Sequence, residues 1–143
     1  MQKVGTFVWR WCPALVLMAA IFFASSQAKA TVPQFGSYDW PVKKVGHLIS
    51  YGLLGIAYLH GLAAGGRPTV RLAIAAVLMA AAYGTTDEFH QSFVEGRGAG
   101  PVDVAIDTLG AMGGLAAEQA IRALIGRRLT RTPTPPVQPR PTP

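Results

Sequence analysis

The sequence predicts an all-α integral membrane protein: a four-transmembrane-helix bundle followed by a disordered, Pro-rich C-terminal tail. Three observations carry this. Half of the 143 residues are hydrophobic and only 14% are charged, giving a mean hydropathy of +0.31, too apolar for an ordinary soluble domain. Apolar stretches long enough to cross a bilayer recur along the chain. The last fourteen residues hold six of the eleven prolines in a Thr/Pro/Arg alternation that makes neither helix nor ladder.

The first span is expected at about 7–26, broken only by Arg10, which can snorkel to the headgroups. The second is expected at about 45–64 and the third at about 70–90, near the short limit for a span. The fourth, at about 102–124, follows Gly100-Pro101, where proline suits a first helical position, and carries Asp103, Asp107 and Glu118. Hydropathy scores the last two with hesitation, but backbone in lipid must be hydrogen-bonded internally, so helices remain the reading. A four-helix domain over 1–126 and a basic, Pro/Thr-rich cytoplasmic tail over 127–143 complete the chain.

With both termini inside, that side holds Lys3, Arg10, Arg67, Arg71, Arg122, Arg127, Arg128, Arg131 and Arg140. The other holds Lys29, Lys43, Lys44 and Arg97. Nine basic residues against four place both termini of a multi-pass cell-membrane protein in the cytoplasm. The same distribution explains the net charge of +6 without nucleic acid, since no basic stripe with interleaved aromatics exists. Cys12 is the sole cysteine, so no intramolecular disulfide forms. Lys3, Arg10, the apolar run and Ala28-Lys29-Ala30 imitate a cleavable signal peptide, but the run extends back through Trp9 and Phe7, and retention is expected.

Two polar clusters flank these spans: Lys44, His47 and Tyr51, and a second running from Asp87 and Glu88 through Gln91 and Arg97 to Asp103 and Asp107. Such groups are expensive at membrane depth and mark functional sites. His47, Tyr51 and Gly55 are spaced by four and share a helix face. Asp103, Asp107, Gly110 and Gly114 follow at steps of four, three and four, two carboxylates leading into a close-packing stripe. The candidate polar pocket is therefore Lys44, His47, Tyr51, Glu88, Gln91, Arg97, Asp103 and Asp107, with Gly55, Gly110 and Gly114 as packing positions. A competing reading makes Lys44 and Arg97 counter-ions of Glu88, Asp103 and Asp107 in a network that only fixes the bundle. A metal held by His47, Glu88, His90, Asp103 or Asp107 is conceivable, but no helix-spaced two-histidine motif supports one, and neither metal nor cofactor is expected.

The chain resembles the VanZ-like family, named for a protein linked to teicoplanin resistance. The resemblance rests on Ser25-Ser26-Gln27 closing the first helix, Lys44-x-x-His47-x-x-x-Tyr51 opening the second, Asp87-Glu88-x-x-Gln91-x-Phe93 with Arg97, and Asp103-x-x-x-Asp107-Thr108-x-Gly110 opening the fourth. Family members typically show Asp-Lys where this chain has Lys43-Lys44, which removes a carboxylate. The resemblance implies a retained first helix, a four-helix core and an association with lowered sensitivity to lipoglycopeptides.

Two function classes follow. The first is a non-enzymatic envelope protein whose outer-leaflet pocket binds an anionic lipid headgroup or lipid-linked cell-wall precursor, or blocks a lipoglycopeptide. Lys44 and Arg97 would hold the anion and the acids would orient them. The second is a membrane enzyme acting on a lipid-linked phosphate or ester, with His47 or Glu88 as general base, although no nucleophile elbow, phosphate loop or two-carboxylate metal motif is present. An assembly subunit using the glycine faces for partners is a third.

Overall fold

The computed structural model describes residues 2–98 and 100–129, with side chains for 7–98 and 100–128. Within them the chain is helical, without strands: α1 (Gln2–Ser25), α2 (Asp39–Ala63), α3 (Val70–Gln91) and α4 (Pro101–Leu129), with two short 3₁₀ turns at Lys29–Thr31 and Gly36–Tyr38 between α1 and α2. Three of these helices contain stretches long and apolar enough to cross a membrane, Phe7–Ser25, Gly36–Ala63 and Val70–Gln91. The fourth is long enough, but its three acids lower its apolarity.

Local chemistry sets the ends. Helix α2 starts at Asp39, six residues before the expected span, because an acid suits the first turn and Pro41 is tolerated there. The hydropathy signal began only after the polar Lys43-Lys44, both of which lie inside the helix. At its far end Ala64 takes the left-handed conformation (φ 53°) and Gly65 follows at φ 83°. The Thr69 hydroxyl then caps α3 by accepting from the Leu72 N–H at 3.4 Å. Helix α4 opens on Pro101 with Asp103 in its first turn. It runs to Leu129, past the expected 124, since Arg127 and Arg128 favour a last turn and no proline intervenes before Pro133. The tail expected over 127–143 thus contributes its first three residues to α4, and from residue 130 onward it lies outside the described residues.

Helix α2 is the centre of the bundle, packing most extensively on α4, then on α3 and α1, while α1 touches α3 only slightly. The core is built from Tyr51, Leu54, Ala57, Tyr58 and Leu59 of α2 with Ala14, Ala76, Ala80, Ala111 and Leu115 from its neighbours. Small residues let the backbones close. A Cβ on Gly110 would meet the Leu48 carbonyl oxygen at 2.6 Å, one on Gly114 would meet Gly52 Cα at 2.7 Å, and one on Gly55 would lie 3.1 Å from the Ala111 methyl. Outward-facing Phe22, Phe23, Leu53, Ile74, Leu78, Leu109 and Leu124 are each at least half exposed, an apolar belt of the kind lipid covers.

Candidate functional site

One end of the bundle gathers the C-termini of α1 and α3, the N-termini of α2 and α4, and the two loops between them. Here the polar residues converge in three tiers. The first is a network around Asp87, a buried acid one turn inside α3. Its Oδ2 accepts hydrogen bonds from Ser25 Oγ at 2.8 Å, Gln91 Nε2 at 2.9 Å and Tyr51 Oη at 3.4 Å, and Gln91 also donates to Ser25 Oγ at 3.2 Å. The network ties α1, α2 and α3 together at a depth where an unmet donor would cost about 1–3 kcal/mol.

The middle tier joins α2, α3 and α4. His47 Nδ1 lies 2.9 Å from Oδ1 of Asp107, which is fully buried, and the His47 ring stacks at 10° to that of Tyr51 one turn on. Glu88, also buried, accepts a hydrogen bond through Oε2 from the Gly100 N–H at 3.0 Å, closing the loop that leads into α4. Gly84 makes room for this arrangement: a Cβ there would stand 3.3 Å from Asp107 Oδ2.

Charged groups form the outer tier. Lys44 pairs with Asp103 and places its ammonium 6.0 Å from the Trp40 ring centroid. Lys43 pairs with Asp39 at 2.6 Å across one turn of α2. Lys44 thus finds its carboxylate on α4, and Lys43, which stands where an acid was expected, finds one four residues earlier. Arg97 joins no acid. Its Nε donates to the Gln27 carbonyl at 3.1 Å and its Nη2 to the Ala24 carbonyl at 2.8 Å, so it joins the Gln27 N–H on the last turn of α1 and secures the chain just beyond it, where a cation suits the helix dipole. The loop carrying it is fastened to the first by a Lys29 N–H to Glu95 carbonyl bond of 3.3 Å.

Two cavities open onto this tier. One, about 440 Å³, is an apolar groove between α1 and α2 lined by Ile21, Phe23, Val32, Pro33 and Phe35. The other, about 360 Å³, is polar and carries Lys29, Lys43, Lys44 and Arg97 against Asp39 and Asp103, four cations to two acids. They share three side chains, Lys43, His47 and Arg97.

The structure thus brings all eight pocket residues named from the sequence to one end of the bundle, in distinct roles: Lys44 with Asp103, His47 with Asp107, Tyr51 and Gln91 on Asp87, Glu88 on a backbone N–H, and Arg97 on carbonyls. Asp87, Ser25 and Lys43 belong with them and were not in that set. Asp87 and Gln91 at i, i+4 were the available signal. Gly110, Gly114 and Gly55 line the α2–α4 contact directly below.

The residues that converge here are those of the motifs quoted above, and the VanZ/LLP1 family profile matches residues 9–120. The chain belongs to the VanZ/LLP1 family. No significant match is found among curated proteins or among solved structures. The matched span runs from α1 to deep in α4 and contains every residue of the three tiers, so in this VanZ/LLP1 protein the polar site and the family-matched region coincide.

Proposed function

We propose that this VanZ/LLP1 protein binds an anionic amphiphile at the loop end of its bundle, a membrane lipid headgroup or a lipid-linked cell-wall precursor. The observation that carries the reading is that an apolar groove and a net-cationic cavity meet at Lys43, His47 and Arg97. An acyl or isoprenoid chain suits the groove, where Phe23, Val32 and Phe35 offer only dispersion contact. A phosphate suits the polar side, where the surplus of cations over acids favours an anion and the Arg97 fork can present its remaining N–H donors. In this reading the end faces the outer leaflet with both termini cytoplasmic, which the positive-inside distribution supports, and α4 is a fourth span, which its packing on α2 along the glycine stripe supports. Holding a precursor there is a route to lowered sensitivity to teicoplanin-type lipoglycopeptides.

A second reading has its own support. His47 on the cavity wall, oriented by fully buried Asp107, has the arrangement of a general base held by a carboxylate, which suits hydrolysis of a lipid-linked phosphate or ester. Incubating the purified protein with radiolabelled lipid extract separates the two. Retention of an unchanged anionic lipid, lost when Lys43 and Lys44 are both changed to Gln, supports binding. Release of a labelled water-soluble or dephosphorylated product supports turnover, and neither retention nor release rules out both.

A further inference from the structure

We propose that His47, Glu88 and Asp107 form a binding site for one divalent transition cation at the junction of α2, α3 and α4, a property independent of the lipid reading. Each helix contributes one ligand, and the imidazole nitrogen and the two carboxylate oxygens lie within 4.8 Å of one another. A cation about 2.0–2.2 Å from each donor is reached from this arrangement by small side-chain rotations.

The second observation is what the two acids leave unused. Asp107 gives Oδ1 to His47, and its Oδ2 is buried with no hydrogen-bond partner; Glu88 gives Oε2 to the Gly100 N–H, and its Oε1 is likewise buried and unmet. Both residues are more than nine-tenths buried, at 0% and 5% relative exposure. Two adjacent carboxylates in a low-dielectric junction, each with an orphan oxygen, call for a positive centre between them. A divalent ion neutralises their two charges and uses the orphan lone pairs, leaving the neutral imidazole as third ligand. Of the neighbouring acids, Asp103 pairs with Lys44, and Asp87, whose Oδ1 is also buried and unmet, gives its Oδ2 to Ser25, Gln91 and Tyr51 and is not one of the three converging groups.

The donor set selects the ion class. One imidazole with two carboxylates suits Mn²⁺, Fe²⁺ or Zn²⁺, whereas Mg²⁺ and Ca²⁺ favour all-oxygen shells. The missing side chain at Gly84 keeps the Asp107 carboxylate from being crowded out, since a Cβ there would stand 3.3 Å from Oδ2.

The test uses the full chain in detergent, stripped with chelator and titrated with Mn²⁺ followed by electron paramagnetic resonance, with Co²⁺ absorbance and Zn²⁺ competition as second readouts and no lipid added. The expected result is one saturable ion per chain, displaced by Zn²⁺ and raising the melting temperature. Glu88→Gln, Asp107→Asn and His47→Ala should each weaken binding by more than the roughly 10–100-fold that outer-shell changes cost. His60→Ala, which disturbs the separate His60–Glu118–Arg122 cluster at the other end, should bind like the parent. Should Asp107→Asn fail to yield monodisperse protein, Glu88→Gln and His47→Ala decide. No saturable site in the parent at sub-millimolar ion, or binding that survives Glu88→Gln and His47→Ala, overturns the proposal.

Discussion

A single methyl group should separate two neighbouring glycines of α4. Gly114→Ala would bring a carbon 2.7 Å from Gly52 Cα across the α2–α4 contact, where comfortable carbon–carbon separation is about 3.5–4.0 Å. The obstacle is backbone, which cannot rotate aside, so the helices must part by about 1 Å. Overpacking of this kind costs about 1–3 kcal/mol, partly offset by the roughly 0.5–1 kcal/mol that Ala gains over Gly inside a helix. The net loss should be about 1–2 kcal/mol. Gly113→Ala meets nothing within 4 Å, so only the helix gain remains and the change should be neutral or stabilising by up to about 1 kcal/mol. The loss should also travel. His47–Asp107 and Lys44–Asp103 bridge the same two helices above the glycine stripe, and a contact widened at Gly114 lengthens them. Reversible unfolding of the purified protein in mixed micelles, read by tryptophan fluorescence, measures both variants. If Gly114→Ala lies within 0.5 kcal/mol of the parent, or Gly113→Ala is equally damaging, the close approach of α2 and α4 is wrong.

Three further outcomes are expected. Arg97→Lys keeps the charge but loses the planar fork that holds the two carbonyls in fixed geometry, so it should cost about 1–2 kcal/mol of stability and weaken retention of anionic lipid; parental behaviour in both unfolding and lipid retention would remove Arg97 from the site. Asp87→Asn replaces an acceptor serving three donors by a neutral amide, and should destabilise by about 2–3 kcal/mol in the same unfolding assay, with a parental midpoint counting against the network. On a Cys12→Ser background, an impermeant maleimide applied to intact cells should label Ser37→Cys and spare Gly66→Cys; the reverse pattern would invert the topology.

Much of this arrangement was legible because helix periodicity places i, i+4 residues on one face whatever the tertiary fold. His47 with Tyr51, Asp103 with Asp107 and Gly110 with Gly114 follow from spacing alone, and each pair lies on a contact surface in the structure. What spacing does not supply is the partner on another helix. Arg97 was expected to hold an anion with acids orienting it, or to balance those acids, yet the carbonyls at the end of α1 are also negative poles, and nothing in the local sequence announces that they lie within reach. His47, Glu88 and Asp107 stood among five conceivable metal ligands in the sequence, but spacing did not single out these three, since each comes from a different helix and no two form a local motif. Helix ends were missed for another reason. Hydropathy marks where lipid begins, while Asp39 and Arg127-Arg128 extend α2 and α4 by favouring their dipoles in the polar zone beyond.

The capping of α1 by Arg97 bears on biogenesis. A chain emerging from the ribosome presents Ala24, Ser25 and Gln27 while residues 87 and 97 have yet to be synthesised. During that interval the Ala24 carbonyl has only the Gln27 N–H, and the Ser25 hydroxyl and the Gln27 carbonyl have neither Asp87 nor Arg97 to bind. The first helix can insert on its apolarity and close its last turn locally through Ser26 and Gln27, but its ties to the rest of the bundle at this end come from α3 and the loop that follows it. A nascent chain arrested before Asp87 therefore carries a first helix that is closed but not yet tied to its neighbours, and arrival of the second hairpin is the step that converts an inserted polypeptide into an assembled one.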